Sequence, residues 1–153
     1  MNAGAARAVA LTAHAGQTTS QGESLVRHLE RVAARVGYAA QATAWLHELG
    51  ECGLECAHEL LARGITAVEL AALELLTLAE GEDYGLYVRR IARAPGPSGE
   101  LARTVKLAEL SDHLEHLPAS SPLARRYQQA REEIERGQRR TRRRVRELRI
   151  AAA

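Results

Sequence analysis

Three side chains that can bind a metal ion or transfer a proton lie close together in the stretch 44–52, Ala-Trp-Leu-His-Glu-Leu-Gly-Glu-Cys. His47 and Glu48 are neighbours and therefore lie about 100° apart on a helix, while Glu51 returns one turn after His47. One ion can then contact His47 and Glu48 and leave Glu51 facing a bound water. A solvated helix end is the alternative interpretation of the same residues.

Two other stretches offer side chains of the same chemical types. His28 lies on the flank of an apolar stripe in a helix predicted over residues 25–36, where a satisfied core histidine is the alternative. Lys106, Glu109 and His113 recur at i, i+3 and i+7 in a helix predicted over residues 100–113. Lys106 has its own alternative, which is a simple ion pair with Glu109 or Glu51.

These stretches together indicate one metal-dependent hydrolytic site. Two imidazoles and two carboxylates suit a divalent ion such as Mn²⁺, Fe²⁺ or Zn²⁺, and helical bundles often hold such ions on inward-facing residues. The predicted ligands are His28, His47, Glu48 and Glu109. Such an ion polarises a phosphate and acidifies a water, from which Glu51 is placed to accept a proton. We expect His113 and Lys106 to stabilise the charge that develops.

The composition predicts that helices position these residues. Alanine, leucine and valine dominate the apolar content, Phe is absent, and the alternation typical of strands is rare. We expect an all-α, single-domain bundle of about seven to eight helices over residues 1–137. One of these helices, predicted over residues 38–50, carries Trp45 into the core and ends at the His47 stretch.

Charge is divided unevenly along the chain. Residues 1–124 carry 10 basic and 15 acidic side chains, a net charge of −5, whereas residues 125–153 carry 11 and 4, a net charge of +7. Residues 138–153 form a basic tail with few apolar partners, which predicts a frayed helix or disorder. Such a tail favours weak electrostatic contact with nucleic acid or an acidic partner. It contains no aromatic residue, so base stacking is not indicated.

The sequence predicts neither a membrane span nor the disulfide framework of a secreted protein. No apolar run approaches the ~20 residues of a span, and the first residues lack a signal-peptide pattern. We therefore expect a cytoplasmic protein in which Cys52 and Cys56 are reduced. Cys52, Cys56 and His58 lack the spacing of known structural zinc sites.

Several blocks of sequence, in order, resemble the HD-domain metal-dependent phosphohydrolases. The resemblance is strongest to small single-domain proteins similar to the hydrolase half of RelA/SpoT enzymes, and it covers roughly residues 5–130. The blocks are His-Ala-Gly-Gln from His14, His28 with Arg31-Val32-Ala33, Trp45-Leu46-His47-Glu48, Gly81-Glu82-Asp83-Tyr84 with Tyr87-Val88-Arg89-Arg90, and Val105-Lys106-Leu107-Ala108-Glu109-Leu110.

The resemblance implies an HD-type bundle that uses Mn²⁺ to hydrolyse a guanosine tetraphosphate-like nucleotide. By it, His28, His47, Glu48 and Glu109 fall on the family's ligand positions, and Glu51 falls on its first catalytic acid. The chain departs from the family at the site. Glu48 and Glu109 stand where the family has Asp, and Cys52 and His113 replace a second acid and an Asn. Ser20 and Leu25 stand where a Lys and a Tyr are usual.

Two functions follow as expectations. The first is a metal-dependent phosphohydrolase acting on a phosphate or pyrophosphate ester of a small nucleotide. The alternative is a catalytically degenerate HD-fold protein that binds or regulates without hydrolysis. The concentration of substitutions in the site motivates the alternative.

Overall fold

A computed structural model of the protein describes the backbone of residues 1–151 and the side chains among them, except those of residues 51–56 and 151. The described chain is helical, which confirms the predicted all-α class and number of helices. The helices are α1 (Ala3–Ala13), α2 (Leu25–Ala34), α3 (Tyr38–Leu46), a 3₁₀ helix (His47–Cys52), α4 (Gly53–Ala62), α5 (Ala67–Leu76), α6 (Tyr84–Arg93), α7 (Gly96–His116) and α8 (Pro122–Ala151).

Helix α7 lies at the centre of the bundle and contacts α2, α3, α5, α6 and α8. Its apolar face supplies Ala102, Val105 and Leu110, which are fully buried. Leu29, Leu46 and Ile91 reach the same core from three neighbouring helices. Burying side chains of this size contributes about 1.5–3 kcal/mol each. The core therefore holds α2, the end of α3 and α7 together, and these are the elements that carry the predicted site.

Local sequence signals account for several helix boundaries. Thr66 caps α5 in a reciprocal capping box with Glu69, and Asp83 caps α6 by accepting a hydrogen bond from the Leu86 N–H at 2.9 Å. Ser24 occupies the N-cap of α2, but its side chain makes no capping hydrogen bond. The chain there instead forms an isolated antiparallel bridge between Thr18 and Ser24.

The α-helix predicted over residues 38–50 ends earlier than expected, at Leu46, and the backbone tightens into the 3₁₀ helix at His47. Gly50 packs against Thr77 so closely that a Cβ on Gly50 would lie 1.9 Å from the Thr77 hydroxyl oxygen. This contact fixes the tighter turn against the end of α5. His47 and Glu48 therefore lie on a turn of about three residues.

Helix α7 begins at Gly96, earlier than the predicted start at Glu100. Pro97 lies in its first turn, where the missing N–H removes no intrahelical hydrogen bond. Arg103 is fully buried and donates to the carbonyl oxygens of Ile91 and Ala94 at 3.3 and 2.6 Å. The Arg103 side chain thus closes the carboxyl end of α6, where a cation is favoured.

Helix α8 passes through residue 137, after which the basic tail was predicted to begin. It runs for 30 residues, from Pro122 to Ala151, so the described part of the basic tail is the second half of one helix. Gly137 is buried against α6, and a Cβ there would lie 2.2 Å from the Ala92 carbonyl oxygen. Beyond Thr141 the described side chains are exposed. No helix in the described chain combines the length and hydropathy that a membrane crossing requires.

Candidate metal centre

Two buried imidazoles face each other where α2 meets the end of α3. His28 and His47 are 1 % and 5 % exposed, and the centroids of their rings are 5.5 Å apart. His47 Nδ1 lies 2.7 Å from the Ala44 carbonyl oxygen, which can only accept, so Nδ1 carries the proton. His28 Nδ1 donates in the same way to Asp112 Oδ2 at 2.9 Å. In the neutral form of each ring, the free lone pair therefore lies on Nε2.

The two Nε2 atoms are the unusual feature of this site. Both are buried, and neither has a hydrogen-bond partner in the described structure. Glu48 Oε1 lies 3.4 Å from His47 Nε2 and 4.0 Å from His28 Nε2. One ligand atom from each of His28, His47 and Glu48 lies within 4.8 Å of the other two. A buried polar atom without a partner is costly, so this arrangement favours a ligand that accepts both lone pairs.

Asp112 orients the His28 ring and was not predicted from the sequence. Its carboxylate is buried, and Arg31 donates to both of its oxygens at 2.7 and 2.9 Å while also pairing with Glu23. Although burial alone would raise the pKa of Asp112, the hydrogen bonds from Arg31 and His28 lower it to about 2. Asp112 therefore remains a carboxylate. One available signal was an acidic residue inside an apolar helix, one turn after Glu109.

Burial also affects the protonation of the imidazoles in this group. Desolvation, followed by the proximity of His47, lowers the pKa of His28 below its usual range. Desolvation also lowers the pKa of His113, whose ring stacks on His28 with centroids 4.6 Å apart. Both rings are neutral at pH 7, and a neutral imidazole is the form that binds metal ions.

Glu109 approaches this group but is already paired. Its Oε2 lies 4.0 Å from His47 Nε2, while its Oε1 accepts a hydrogen bond from Lys106 Nζ at 2.7 Å. Both side chains are buried. Burial alone would raise the pKa of Glu109, but the Lys106 ammonium lowers it to about 2, and Glu109 in turn raises the pKa of Lys106 above its usual value. Of the two pairings predicted for Lys106, the one with Glu109 is present in the structure.

Two cavities meet at the imidazoles. The first has a volume of about 380 Å³ and is lined by His14, the hydroxyl-rich loop 17–20, His28, Glu48 and His113. This volume lies in the range of about 300–1,000 Å³ typical of small-molecule sites. His14 is buried there, its Nδ1 lies 2.8 Å from Gln17 Oε1, and its Nε2 has no partner among the described residues. No chemical role was predicted for His14 from the sequence.

The second cavity lies on the other side of Glu48 and His113. It has a volume of about 260 Å³ and is lined by aromatic and charged side chains that include Tyr84, Tyr87, Tyr127, Lys106 and Glu109. Lys106 Nζ lies 4.9 Å from the centroid of the Tyr87 ring, within the range of a cation–π contact. Desolvation raises the pKa of Tyr84 and of Tyr87 to about 12. Both phenols therefore remain protonated. Tyr87 donates its hydroxyl to the Leu76 carbonyl oxygen at 2.6 Å, whereas the buried Tyr84 hydroxyl has no partner among the described residues.

The donor set present here fits a divalent transition ion. Two imidazole nitrogens and a carboxylate oxygen are ligands that such ions prefer, and both nitrogens are oriented by hydrogen bonds from the far side of the ring. His28, His47 and Glu48 fit this requirement directly. Glu109 lies outside this group of three: its Oε2 is 4.0 Å from His47 Nε2, and its other oxygen is held by Lys106.

Other residues singled out in the sequence have different positions. The side chains of Glu51 and Cys52 lie outside the described residues, as does that of Cys56. Arg90 donates to Glu82 and to the Thr77 carbonyl oxygen at the end of α5, which is a structural role. Arg89 is exposed on α6.

Comparison with known proteins adds no family assignment to this geometry. No protein-family model matches the chain, and no curated protein matches it at a significant level.

Proposed function

We propose that the protein is a metal-dependent phosphohydrolase that acts on a phosphate or pyrophosphate ester of a small nucleotide, similar to guanosine tetraphosphate. The observation that carries this proposal is the pair of buried, partnerless Nε2 atoms beside Glu48. His28, His47 and Glu48 hold the ion in this proposal, and Glu109 supplies a fourth ligand. Mn²⁺ is the proposed ion. Fe²⁺ and Zn²⁺ are alternatives, because they bind the same types of ligand.

A bound divalent ion supplies two kinds of chemistry, polarisation of a phosphate oxygen and acidification of a water. The protein supplies the orientation. Asp112 and the Ala44 carbonyl fix the two imidazoles, and their hydrogen bonds select the tautomer that binds a metal. Because these partners are in place before any ligand arrives, little reorganisation is needed when the ion binds.

The polar cavity provides the proposed substrate position. The Thr18, Thr19 and Ser20 side chains that line it are hydroxyls, which bind phosphate oxygens by donating hydrogen bonds. His113 faces both cavities and is proposed to stabilise charge on the phosphate during the reaction. Glu51 remains the proposed base for the attacking water. Lys106 is proposed to stabilise the charge that develops, from the side of the tyrosine-lined cavity.

Phosphate release tests this proposal. The purified protein is depleted of metal with a chelator, supplied with Mn²⁺, Fe²⁺ or Zn²⁺, and incubated with guanosine and adenosine nucleotides that carry 3′- or 5′-phosphates. We expect metal-dependent release in the wild type and in His58→Gln, which changes an exposed histidine on α4. We expect His47→Ala to lose the activity. Release that is absent with every ion, or that is equal in His47→Ala, contradicts the proposal.

One observation favours the second candidate, a binding or regulatory protein without turnover. Lys106 already neutralises Glu109, so the polar cluster is partly satisfied by the chain itself. A protein of this kind binds a nucleotide without releasing phosphate. Calorimetric titration with the same nucleotides distinguishes the two functions. A saturable heat of nucleotide binding without phosphate release supports the binding protein.

A further inference from the structure

The second half of α8 extends beyond the packed body of the protein. Up to Ile134 the helix presents an apolar stripe that packs on α6 and α7, and Tyr127, Ala130 and Ile134 are its members. The stripe continues at helical spacing through Thr141, Val145 and Leu148, but these positions have no covering helix in the described structure. Val145 and Leu148 are 45 % and 62 % exposed.

This extension concentrates positive charge. Residues 139–149 contain seven arginines and one glutamate. Arg139 pairs with Glu135 at 3.7 Å, and Arg143 pairs with Glu147 at 2.7 Å. The remaining five have no carboxylate within 4.0 Å among the described side chains; they are Arg140, Arg142, Arg144, Arg146 and Arg149. The chain before residue 125 has a net charge of −5, so the extension is the cationic end of an otherwise acidic protein.

The arrangement of the arginines around the helix indicates the shape of the partner. At about 100° per residue, Arg142 and Arg144 lie on opposite flanks of the apolar stripe. Arg140 lies on the same flank as Arg144, and Arg149 on the same flank as Arg142, while Arg146 lies farther round, towards the back of the helix. A flat anionic surface would contact the stripe and its flanks and leave the back facing water. A groove between two rows of phosphates reaches both flanks and the back together.

The narrow apolar stripe also argues against a lipid surface. Only Val145 and Leu148 are large apolar residues on it. Membrane-surface helices usually carry a wider apolar face with aromatic or several leucine residues. Arginine, in contrast, matches phosphate with two parallel hydrogen bonds.

We infer that the second half of α8 binds the phosphate backbone of double-stranded nucleic acid. Residues 139–149 span about 15 Å of helix at 1.5 Å per residue. A DNA duplex presents one charge per ~1.7 Å of its axis, so this length faces about nine phosphates, more than the five unpaired arginines require. The segment has no Asn, Gln or aromatic side chain to read or stack on bases. Binding is therefore electrostatic and independent of base sequence.

Fluorescence anisotropy with the full-length protein tests this inference. The probes are labelled DNA and RNA duplexes of mixed sequence, titrated at several salt concentrations. With five arginines engaged, the logarithm of the binding constant should fall with the logarithm of salt concentration at a slope of about −4.5 for DNA. A variant with Arg140, Arg142, Arg144, Arg146 and Arg149 all changed to Gln should bind at least tenfold more weakly, with a slope near zero. Gln has a helix propensity similar to that of Arg, so circular dichroism should show an unchanged helix content.

Two controls make the result specific. The variant Arg27→Gln with Arg63→Gln removes two exposed arginines from the body and should leave binding unchanged. Vesicles of phosphatidylcholine and phosphatidylserine replace the duplex in a parallel titration, with Val145→Ser and Leu148→Ser as the matching variant. Binding to vesicles without binding to either duplex overturns the inference, and so does duplex binding that the five-Gln variant retains. Preference between DNA and RNA identifies the natural duplex, and absence of binding to both also overturns the inference.

Discussion

Each imidazole of the proposed metal centre has one nitrogen held by the protein and the other without a partner. Asp112 and the Ala44 carbonyl hold the Nδ1 atoms, and the Nε2 atoms of His28 and His47 point towards Glu48. Loss of an orienting partner typically lowers metal affinity or activity by about 10–100-fold. The Asp112 carboxylate therefore has a role that can be measured separately from the ligands.

Asp112→Asn should weaken Mn²⁺ binding by about 10–100-fold, because the amide can present its N–H₂ to His28 Nδ1 and reverse the tautomer. Isothermal titration with Mn²⁺ measures the change. Glu115→Gln is the matched control, since it removes an exposed partner of Arg35 on the same pair of helices. Equal affinity in Asp112→Asn and the wild type would show that Asp112 does not orient a ligand.

Lys106→Met should destabilise the metal-free protein by about 3–5 kcal/mol, because it leaves the buried Glu109 carboxylate without its cation. The double variant Lys106→Met with Glu109→Met removes both charges and should recover most of that loss. Urea unfolding of both variants and the wild type measures the free energies. A single variant as stable as the wild type would mean that Glu109 has another cation or is not buried.

At this scale the sequence indicated residue types better than it indicated their pairings. His28, His47 and Glu48 lie together as the spacing and helix order suggested, because apolar neighbours such as Leu29 and Leu46 place their helices in one core. Asp112 was missed because a search for a stripe at i, i+3 and i+7 passes over it. The partner of Lys106 depends on distances that sequence spacing leaves open.

Close backbone contact fixes the position of two helices relative to their neighbours. Helix α8 approaches α6 at Gly137, where any side chain would meet the Ala92 carbonyl. A similar contact between Gly50 and Thr77 places the 3₁₀ helix that carries His47 and Glu48. Both contacts require the absence of a Cβ, and neither follows from helix propensity.

Gly137→Ala should lower the free energy of unfolding by about 1–3 kcal/mol, because the added methyl forces α8 away from α6. Propensity alone predicts the opposite, a gain of about 1 kcal/mol within a helix. Gly4→Ala in α1 is the control, since its Cβ would meet only the Asn2 side chain at 3.4 Å and should be neutral or stabilising. Thermal unfolding of the two variants shows whether Gly137→Ala lowers or raises the free energy of unfolding. A stabilised Gly137→Ala would contradict the packing of α8 described above.

The described part of the basic tail is helical, and its fraying stays a prediction. The prediction weighed the lack of apolar partners, but the packed first half of α8 already supplies the costly helix nucleus. Arg is a good helix former, and the exposed pair of Arg143 with Glu147 adds a small i, i+4 contribution. Continuation of the helix therefore needs little tertiary contact.

The whole molecule is organised so that the proposed ion joins three separate parts of the chain. His28 comes from α2, His47 and Glu48 from the 3₁₀ helix, and Glu109 from the central helix α7. A ligand that binds only the folded state stabilises it according to its concentration and affinity. Metal binding should therefore be visible as a change in global stability.

Mn²⁺ at about one hundred times its dissociation constant should stabilise the protein by about 2.7 kcal/mol. For a chain of this size that corresponds to a rise in melting temperature of roughly 5–10 °C. Differential scanning fluorimetry with and without a chelator measures it. His47→Ala should show no rise, whereas His58→Gln should behave as the wild type. An equal rise in His47→Ala would place metal binding elsewhere.

The metal content of the purified protein is the most direct test of the central claim, that His28, His47 and Glu48 share one divalent ion. After incubation with Mn²⁺, Fe²⁺ or Zn²⁺ and removal of free ions, elemental analysis should find about one ion per wild-type chain, as expected for a single site. The variant with both His28→Ala and His47→Ala should retain almost none. A wild-type protein that holds no more metal than this variant, with all three ions, would contradict the account.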